Sequence, residues 1–327
     1  MSLTLLATTH RVAAGLLTWK AWEALRSADR VLVRPDHPLL PALADAEVVP
    51  EPVETPDPAA LVAAARDADV LWVAAPEGDE ALMREVGALV VGDPLDVEVL
   101  HGSYDLPGAR LLDLVSVMDT LRRECPWDRE QTHVTLVPYL LEEAYEVLDT
   151  VESGDLGALR EELGDVLMQV AFHSVVAAER ADETAFTIDD VAGGIVDKLV
   201  RRHPHVFAGV TVDGADEVNA NWEQIKAAER AEKSGAEASA LDGVPMGQPA
   251  LALAAQLQRR AARMGAPAGL APGPEGTADT GADLGVRLFE LAGEAVRRGT
   301  DPEAELRAVS RVFRDRVRAW ERHEQGH

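Results

Sequence analysis

LEEAYEVLDTVESGDLGALREELGDVL, residues 141–167, carries two acidic clusters, Glu142–Glu143–Glu146 and Glu161–Glu162–Asp165, each set on an apolar helical pattern. An acidic helix face is ordinarily a solvated surface, so the spacing has to demand something more. Turning about 100° per residue gathers Leu140, Leu141, Ala144, Val147, Leu148 and Val151 into one sector, with Glu143 and Glu146 on its flank. The second stretch gathers Leu159, Leu163, Val166, Leu167 and Val170, with Glu162 and Asp165 on the same flank. A constant shift of 19 residues superposes the two patterns: Glu143 on Glu162, Glu146 on Asp165, Leu140 on Leu159, Val147 on Val166.

Ser153-Gly154-Asp155 between them is a short turn, which makes the two helices antiparallel neighbours. Packed through their apolar stripes, they bring equivalent flanks to the same side, so four carboxylates converge along one groove edge. Like charges at that spacing repel unless a cation neutralises them. A donor set of oxygen alone, without His or Cys, suits a hard divalent ion, Mg²⁺ or Mn²⁺. Glu142 is offset by one position toward the edge of this site, where it acts on a water or stays in solvent. Glu161 reads as a surface residue.

The rest of the chain sets the frame. Its 327 residues suffice for two or three domains, and 47% hydrophobic with 27% charged residues is ordinary for a globular protein. A net charge of −26 is not ordinary. It argues against a duplex nucleic-acid binder and against docking on anionic lipid. Cys125 is the single cysteine, which excludes intrachain disulfides and cysteine metal cages and fits a reducing cytoplasm. The start MSLTLLATTHRV has no signal-peptide pattern, and no run of about 18 apolar residues is present, so a cytoplasmic protein without a membrane partner is expected.

Residues 1–108 read as α/β, with short β-rich runs at LTLLA (3–7), DRVLVR (29–34), DVLWVAA (69–75) and ALVVG (88–92) between helical stretches. From 109 helical periodicity dominates. DLVSVMDTLRREC (113–125) is a helix, CPWDREQTH (125–133) a loop in which Asp128 and Gln131 have capping-box spacing, and Pro138 suits a first helical turn. Helices are expected to about Glu152, from Leu156 to Arg180, from Ile188 to Arg202 ahead of Pro204, and over 221–230. VFAGVTVD (206–213) reads as a brief extended excursion. Residues 231–248 lose the pattern, 265–282 form a Gly/Pro/Ala/Thr linker, and 283–321 are helical again.

DKLVRRHPHVF (197–207) places Lys198 and Arg202 one helical turn apart with Arg201 beside them, a phosphate clamp or a partner for the helix C-terminal dipole. Trp222 and Lys226 pair a ring face with a charge, the makings of a base-stacking surface beside a phosphate contact; alone, Trp222 is core. His203 and His205 read as capping or packing residues, His133 and His173 as structural ones, and Cys125 as an inert packed thiol.

EEAYE (142–146) followed by ELGD (162–165) resembles the EExxE…ExxD signature of the MazG nucleoside triphosphate pyrophosphohydrolases, all-α enzymes acting with Mg²⁺. CPWDREQTH, PYLLEEAYEVLD, DKLVRRHPHVF and the WEQIKAAE segment resemble the same family in the same order, over about 109–232. The resemblance implies that Glu143, Glu146, Glu162 and Asp165 hold Mg²⁺ with Glu142 close by. It implies nucleotide contacts for Lys198, Arg202, Trp222 and Lys226, and dimers that complete four-helix bundles. LALAAQLQRRAARMG and DLGVRLFELA (283–292) resemble a second, degenerate copy, with Asp283 at the Glu162 position but Val286 at that of Asp165. GLLTWKAWEALRSADRVLVR (15–34) resembles the opening of SAM-dependent tetrapyrrole methylases, yet the turn TTHRVAAG lacks clustered glycines.

The expected fold is therefore mainly α: a MazG-like helical bundle completed by dimerisation, preceded by a small α/β domain. Its parts are a methylase-like relic (1–108), a catalytic helical module (109–232), a linker (233–248) and a degenerate second module (249–327). The expected reaction is Mg²⁺-dependent hydrolysis of (deoxy)nucleoside triphosphates to monophosphate and pyrophosphate, in nucleotide-pool housecleaning. The rivals are a dUTP or phosphoribosyl-ATP hydrolase of the same fold, a non-catalytic nucleotide-sensing scaffold, and a methyltransferase.

Overall fold

In the computed structural model the four residues Val70–Val73 (VLWV) form a strand buried at every position. A strand reaches that state only inside a sheet covered on both faces. The structure describes residues 1–76, 78–92, 95–234, 239, 241–267, 270 and 282–324, in two units, Met1–Gly193 and Gly194–His327.

In the first unit, β1 (Ser2–Ala7), β2 (Arg30–Val33), β3 (Glu51–Pro52), β4 (Val70–Val73) and β5 (Asp96–His101) make a parallel sheet in the order β3-β2-β4-β1-β5. Successive side chains serve opposite faces. Leu3, Leu5, Val70 and Trp72 pack with Leu61 and Val62 of α3 (Pro58–Ala64) and with Leu82 and Val86 of α4 (Glu80–Val90). Leu6, Val31, Val33, Leu71 and Val73 pack with Ala21 and Leu25 of α1 (Trp19–Ser27) and with Leu43 of α2 (Leu40–Asp45).

The β-rich run at 88–92 is a correction: Ala88, Leu89 and Val90 end α4. Leu82, Val86 and Val90 follow one another at helical spacing, and that periodicity outweighs the β-branched composition of the last turn. The edge strand was instead DVEVLH, where Asp96 and Glu98 interrupt the apolar run as charges on an edge strand do.

The helices that follow are α5 (Arg110–Glu124), α6 (Pro126–Glu130), α7 (His133–Ser153), α8 (Leu156–Ala178) and α9 (Ile188–Arg202). Met118 of α5, Leu136 of α7 and Ala171 and Phe172 of α8 form a core shared by α5, α7 and α8. Two expectations fail at the entry to α7. The N-cap is Thr132, whose hydroxyl accepts from Thr135 N at 3.3 Å while Thr135 Oγ1 accepts from Thr132 N at 2.8 Å. Asp128 and Gln131 do not form a capping box: Asp128 lies within α6 and Gln131 ends it. Because the cap stands at Thr132, Pro138 falls inside α7 rather than in its first turn.

Arg122 holds this segment in place. Its Nε and Nη2 meet Glu179 at 2.6 and 2.8 Å, and its Nη1 reaches the carbonyls of Gln131, at 3.0 Å, and Asp128. At the other end of α5, Asp113 accepts from Arg11 Nε (2.6 Å) and lies 2.8 Å from His10 Nε2, tying the loop after β1 to the first helical turn. The hydrogen bonds from Arg11, then Arg110, hold the Asp113 carboxyl far below the usual carboxylate range.

In the second unit, α10 (Pro204–Phe207) replaces the start of the expected extended excursion at 206–213, because Pro204 fits a helix N-terminus. Then come α11 (Ala215–Ser234), α12 (Ala250–Arg263), α13 (Ala282–Arg298) and α14 (Pro302–Glu324). Ala255 and Ala292 are fully buried between α12 and α13. Gly293 lets Gln258 approach so closely that a Cβ there would stand 2.1 Å from its Oε1. The linker expected at 265–282 lies largely outside the described residues. Among the described residues no helix is long and apolar enough to cross a membrane.

Candidate metal centre and its companions

The turn between α7 and α8 is built by two local devices. Gly154 takes the left-handed conformation at φ 76° and donates to Thr150 O at 3.0 Å, stopping α7. Asp155 then accepts from Gly157 N and Ala158 N at 3.0 and 3.1 Å, starting α8. The resulting hairpin sets Glu143 and Glu146 of α7 against Glu162 of α8, and one ligand oxygen from each lies within 4.8 Å of the others.

The electrostatics agree with that convergence. Burial first, then the charge of Asp165, then those of Glu146, Glu142 and Glu162, raise the Glu143 carboxyl above its ordinary value. Burial, then the charge of Glu146 and a hydrogen bond with it, raise the Glu162 carboxyl. Two carboxylates bonded to each other need a proton or a cation between them. Asp165 acts on both Glu143 and Glu162 as a neighbouring charge, but it is not one of the three whose oxygens meet. Glu142 is exposed at the edge.

The carboxylates stand nearer the helix seam than the periodicity suggested. Glu143 and Glu162 are half-buried, whereas Leu141, Leu163 and Leu167 of the supposed core stripe are exposed, together with Tyr145. Beyond Asp165 the α8 face continues into Gln169, only 3% exposed, and His173, whose ring stacks on His133 with Nδ1 atoms 2.8 Å apart. The structural reading of the two histidines fits that packing. Gln169 escaped attention, although it follows Asp165 by one helical turn.

The basic companions lie in the second unit. Lys198 is exposed on α9. Arg201 and Arg202 both bond Glu229 of α11. Lys226 Nζ stands 4.6 Å from the centre of the Trp222 ring, and His203 approaches that ring at 6.2 Å. His203 also donates from Nδ1 to Leu199 O at 2.7 Å, capping the end of α9. Glu229 was missed, although it shares an α11 face with Trp222 and Lys226 at helical spacing.

The model of the MazG nucleotide pyrophosphohydrolase domain matches residues 131–207, a span that holds all four acids and the α9 cations. The uncharacterised 26.1 kDa protein in the blaB 3′ region of Streptomyces cacaoi is 51% identical over 253 residues, 76% of this chain and 99% of that one. A nucleoside triphosphate pyrophosphohydrolase of Mycolicibacterium smegmatis is 44% identical over 252 residues, 77% of this chain and 69% of that one. The nucleoside triphosphate pyrophosphohydrolase/pyrophosphatase MazG of Thermotoga maritima is 36% identical over 228 residues, 64% of this chain and 84% of that one. Fold, acidic hairpin and relatives together define a hydrolase acting on phosphoric anhydrides. The chain belongs to the MazG family of nucleoside triphosphate pyrophosphohydrolases.

Proposed function

We propose that this chain hydrolyses (deoxy)nucleoside triphosphates to monophosphate and pyrophosphate with Mg²⁺, for which Mn²⁺ can substitute, as a housecleaning enzyme of the cytoplasmic nucleotide pool. One observation carries the reading: Glu143, Glu146 and Glu162 bring ligand oxygens within 4.8 Å of one another. The donor set fits a hard cation, being oxygen alone and charged enough to demand neutralisation. Mg²⁺ bound there supplies Lewis-acid polarisation of a phosphoryl group and a water of lowered pKa.

The side chains divide the work. Glu143, Glu146, Glu162 and Asp165 hold the ion, and Glu142 at the edge takes the proton of the attacking water. Lys198, Arg201 and Arg202 balance charge on the leaving pyrophosphate, and Trp222 with Lys226 contacts the nucleotide. The exposure of Leu141 and Tyr145, one turn apart on α7, and of Leu163 and Leu167, one turn apart on α8, supports assembly into at least a dimer. All chemistry is assigned to the helical module at 109–232, with 249–327 a degenerate second copy and 1–108 a methylase-like relic.

The test is product analysis across canonical and oxidised nucleoside triphosphates. Monophosphate and pyrophosphate are expected, abolished by EDTA and restored by Mg²⁺ or Mn²⁺. Orthophosphate with a diphosphate, or full activity in chelator, would overturn the reading. Turnover confined to dUTP or to phosphoribosyl-ATP would make the enzyme a narrow-substrate member of the fold.

A further inference from the structure

Arg201 and Arg202 close α9 as neighbours in sequence, yet both guanidinium groups turn to one carboxylate. Arg202 sets Nη2 2.6 Å from Glu229 Oε2 and Nε 3.2 Å from the same oxygen. Arg201 sets Nε 2.9 Å and Nη2 2.8 Å from Glu229 Oε1. Each arginine therefore docks by its side edge, Arg201 on Oε1 and Arg202 chiefly on Oε2 with its Nε also 3.4 Å from Oε1, and among the described residues no hydrogen bond or ion pair uses Nη1 of either. A guanidinium carries five donors in a rigid fork, so a side-on dock leaves its outer edge formed and aimed.

A strut between α9 and α11 would need one arginine. Arg202 and Glu229 suffice, with side chains 18% and 17% exposed, whereas Arg201 is 55% exposed and adds little as a tether. What Arg201 does gain is order. Arginine loses up to about 2 kcal/mol of rotamer freedom when fixed, and a side chain ordered before its ligand arrives has met that cost already. Two guanidinium groups on one carboxylate keep a net positive charge, and Lys226 shares the Glu229 face of α11.

We propose that Glu229 is a positioning residue for polyphosphate recognition: it docks the side edges of Arg201 and Arg202 and so presents their outer edges to an anionic substrate. This rests on the reading above that the two arginines contact the nucleotide. Glu229 itself touches no substrate. Its effect runs through the geometry of the pair, which predicts a change in affinity rather than in the chemical step.

The experiment uses the full chain, with steady-state pyrophosphate release from a nucleoside triphosphate and inhibition by inorganic pyrophosphate. Glu229→Gln should raise KM and the pyrophosphate inhibition constant together, by about tenfold, as expected when a charge-assisted pair is reduced to neutral contacts. Glu229→Asp, which keeps the charge, should recover most of that loss, with circular dichroism confirming the helical content of each variant. An unchanged or lowered KM in folded Glu229→Gln would overturn the proposal, as would a fall in kcat alone. If Glu229→Gln fails to fold, Glu229→Ala decides in its place: a raised KM and pyrophosphate inhibition constant support positioning, and unchanged values overturn it. Arg201→Ala and Arg202→Ala separate the two levels. If neither moves KM or the inhibition constant, the nucleotide-contact reading has failed; if they do and folded Glu229→Gln does not, only the positioning role has.

Discussion

Asp165 of α8 is the strongest neighbouring charge on Glu143 of α7, second only to burial in raising that carboxyl. The two residues belong to different helices, so the repulsion between them works against the packing that puts them together. Such an arrangement persists when the acids are needed for something other than stability.

Glu143→Ala and Asp165→Ala should each remove essentially all pyrophosphate release while the fold survives. Relieving like-charge repulsion should also raise the metal-free melting temperature by about 1–2 °C. Calorimetry with EDTA present checks the second half, and a clear drop in melting temperature would mean that the acids stabilise the hairpin.

Asp283→Ala should leave turnover within about twofold of the parent, since a single carboxylate cannot hold a hard ion in competition with water. The helix α13 carries Val286 where the matching register of α8 carries Asp165. Parallel assays of Asp283→Ala and Glu162→Gln decide between the acidic hairpin and the proposed second copy at 249–327, and loss in the former alone would move the active site there.

Arg122→Ala should destabilise the first unit by about 2 kcal/mol, because it takes the guanidinium donors from the Gln131 carbonyl and the Glu179 carboxylate and leaves the Asp128 carbonyl with Gln131 N alone. Arg122→Lys should recover only part, since one ammonium cannot copy the forked contact. Urea denaturation of both variants measures the difference.

The pH dependence of the second unit should follow Glu229, whose carboxyl is lowered from 4.5 to about 2, first by the Arg202 hydrogen bond. A group whose pKa is depressed on folding stabilises fully above its unfolded value and loses that contribution as pH falls through the folded one. Protection of α11 amides from hydrogen exchange should therefore decline between pH 4.5 and about 2, and Glu229→Gln should flatten the decline.

Helical periodicity carried the acidic hairpin in plain view: α7 ends at Ser153 and α8 begins at Leu156, on either side of the turn that the spacing requires. The fourfold flank symmetry was less faithful, because helix wheels treat both helices as straight and equally buried. In the packed pair the seam admits Glu143 and Glu162 and leaves Leu141 and Leu163 outside. Strands with uninterrupted apolar runs were legible, whereas β5 and the two-residue β3 were not, since edge strands mix charge into a short pattern. Glu229 stayed hidden because an ion pair between helices depends on tertiary placement that neither helix records alone.

The Gly154 turn has a kinetic meaning. Glu143 and Asp165 are 22 positions apart in the chain, joined by one tight reversal. In the parallel sheet, by contrast, Leu3 finds Val70 only after 67 residues have been gathered in. Loop closure makes short-range pairing fast and long-range pairing slow. On refolding of the full chain the acidic hairpin can thus close while the sheet is still assembling, so the two acidic clusters meet before the amino-terminal strands have all found their neighbours.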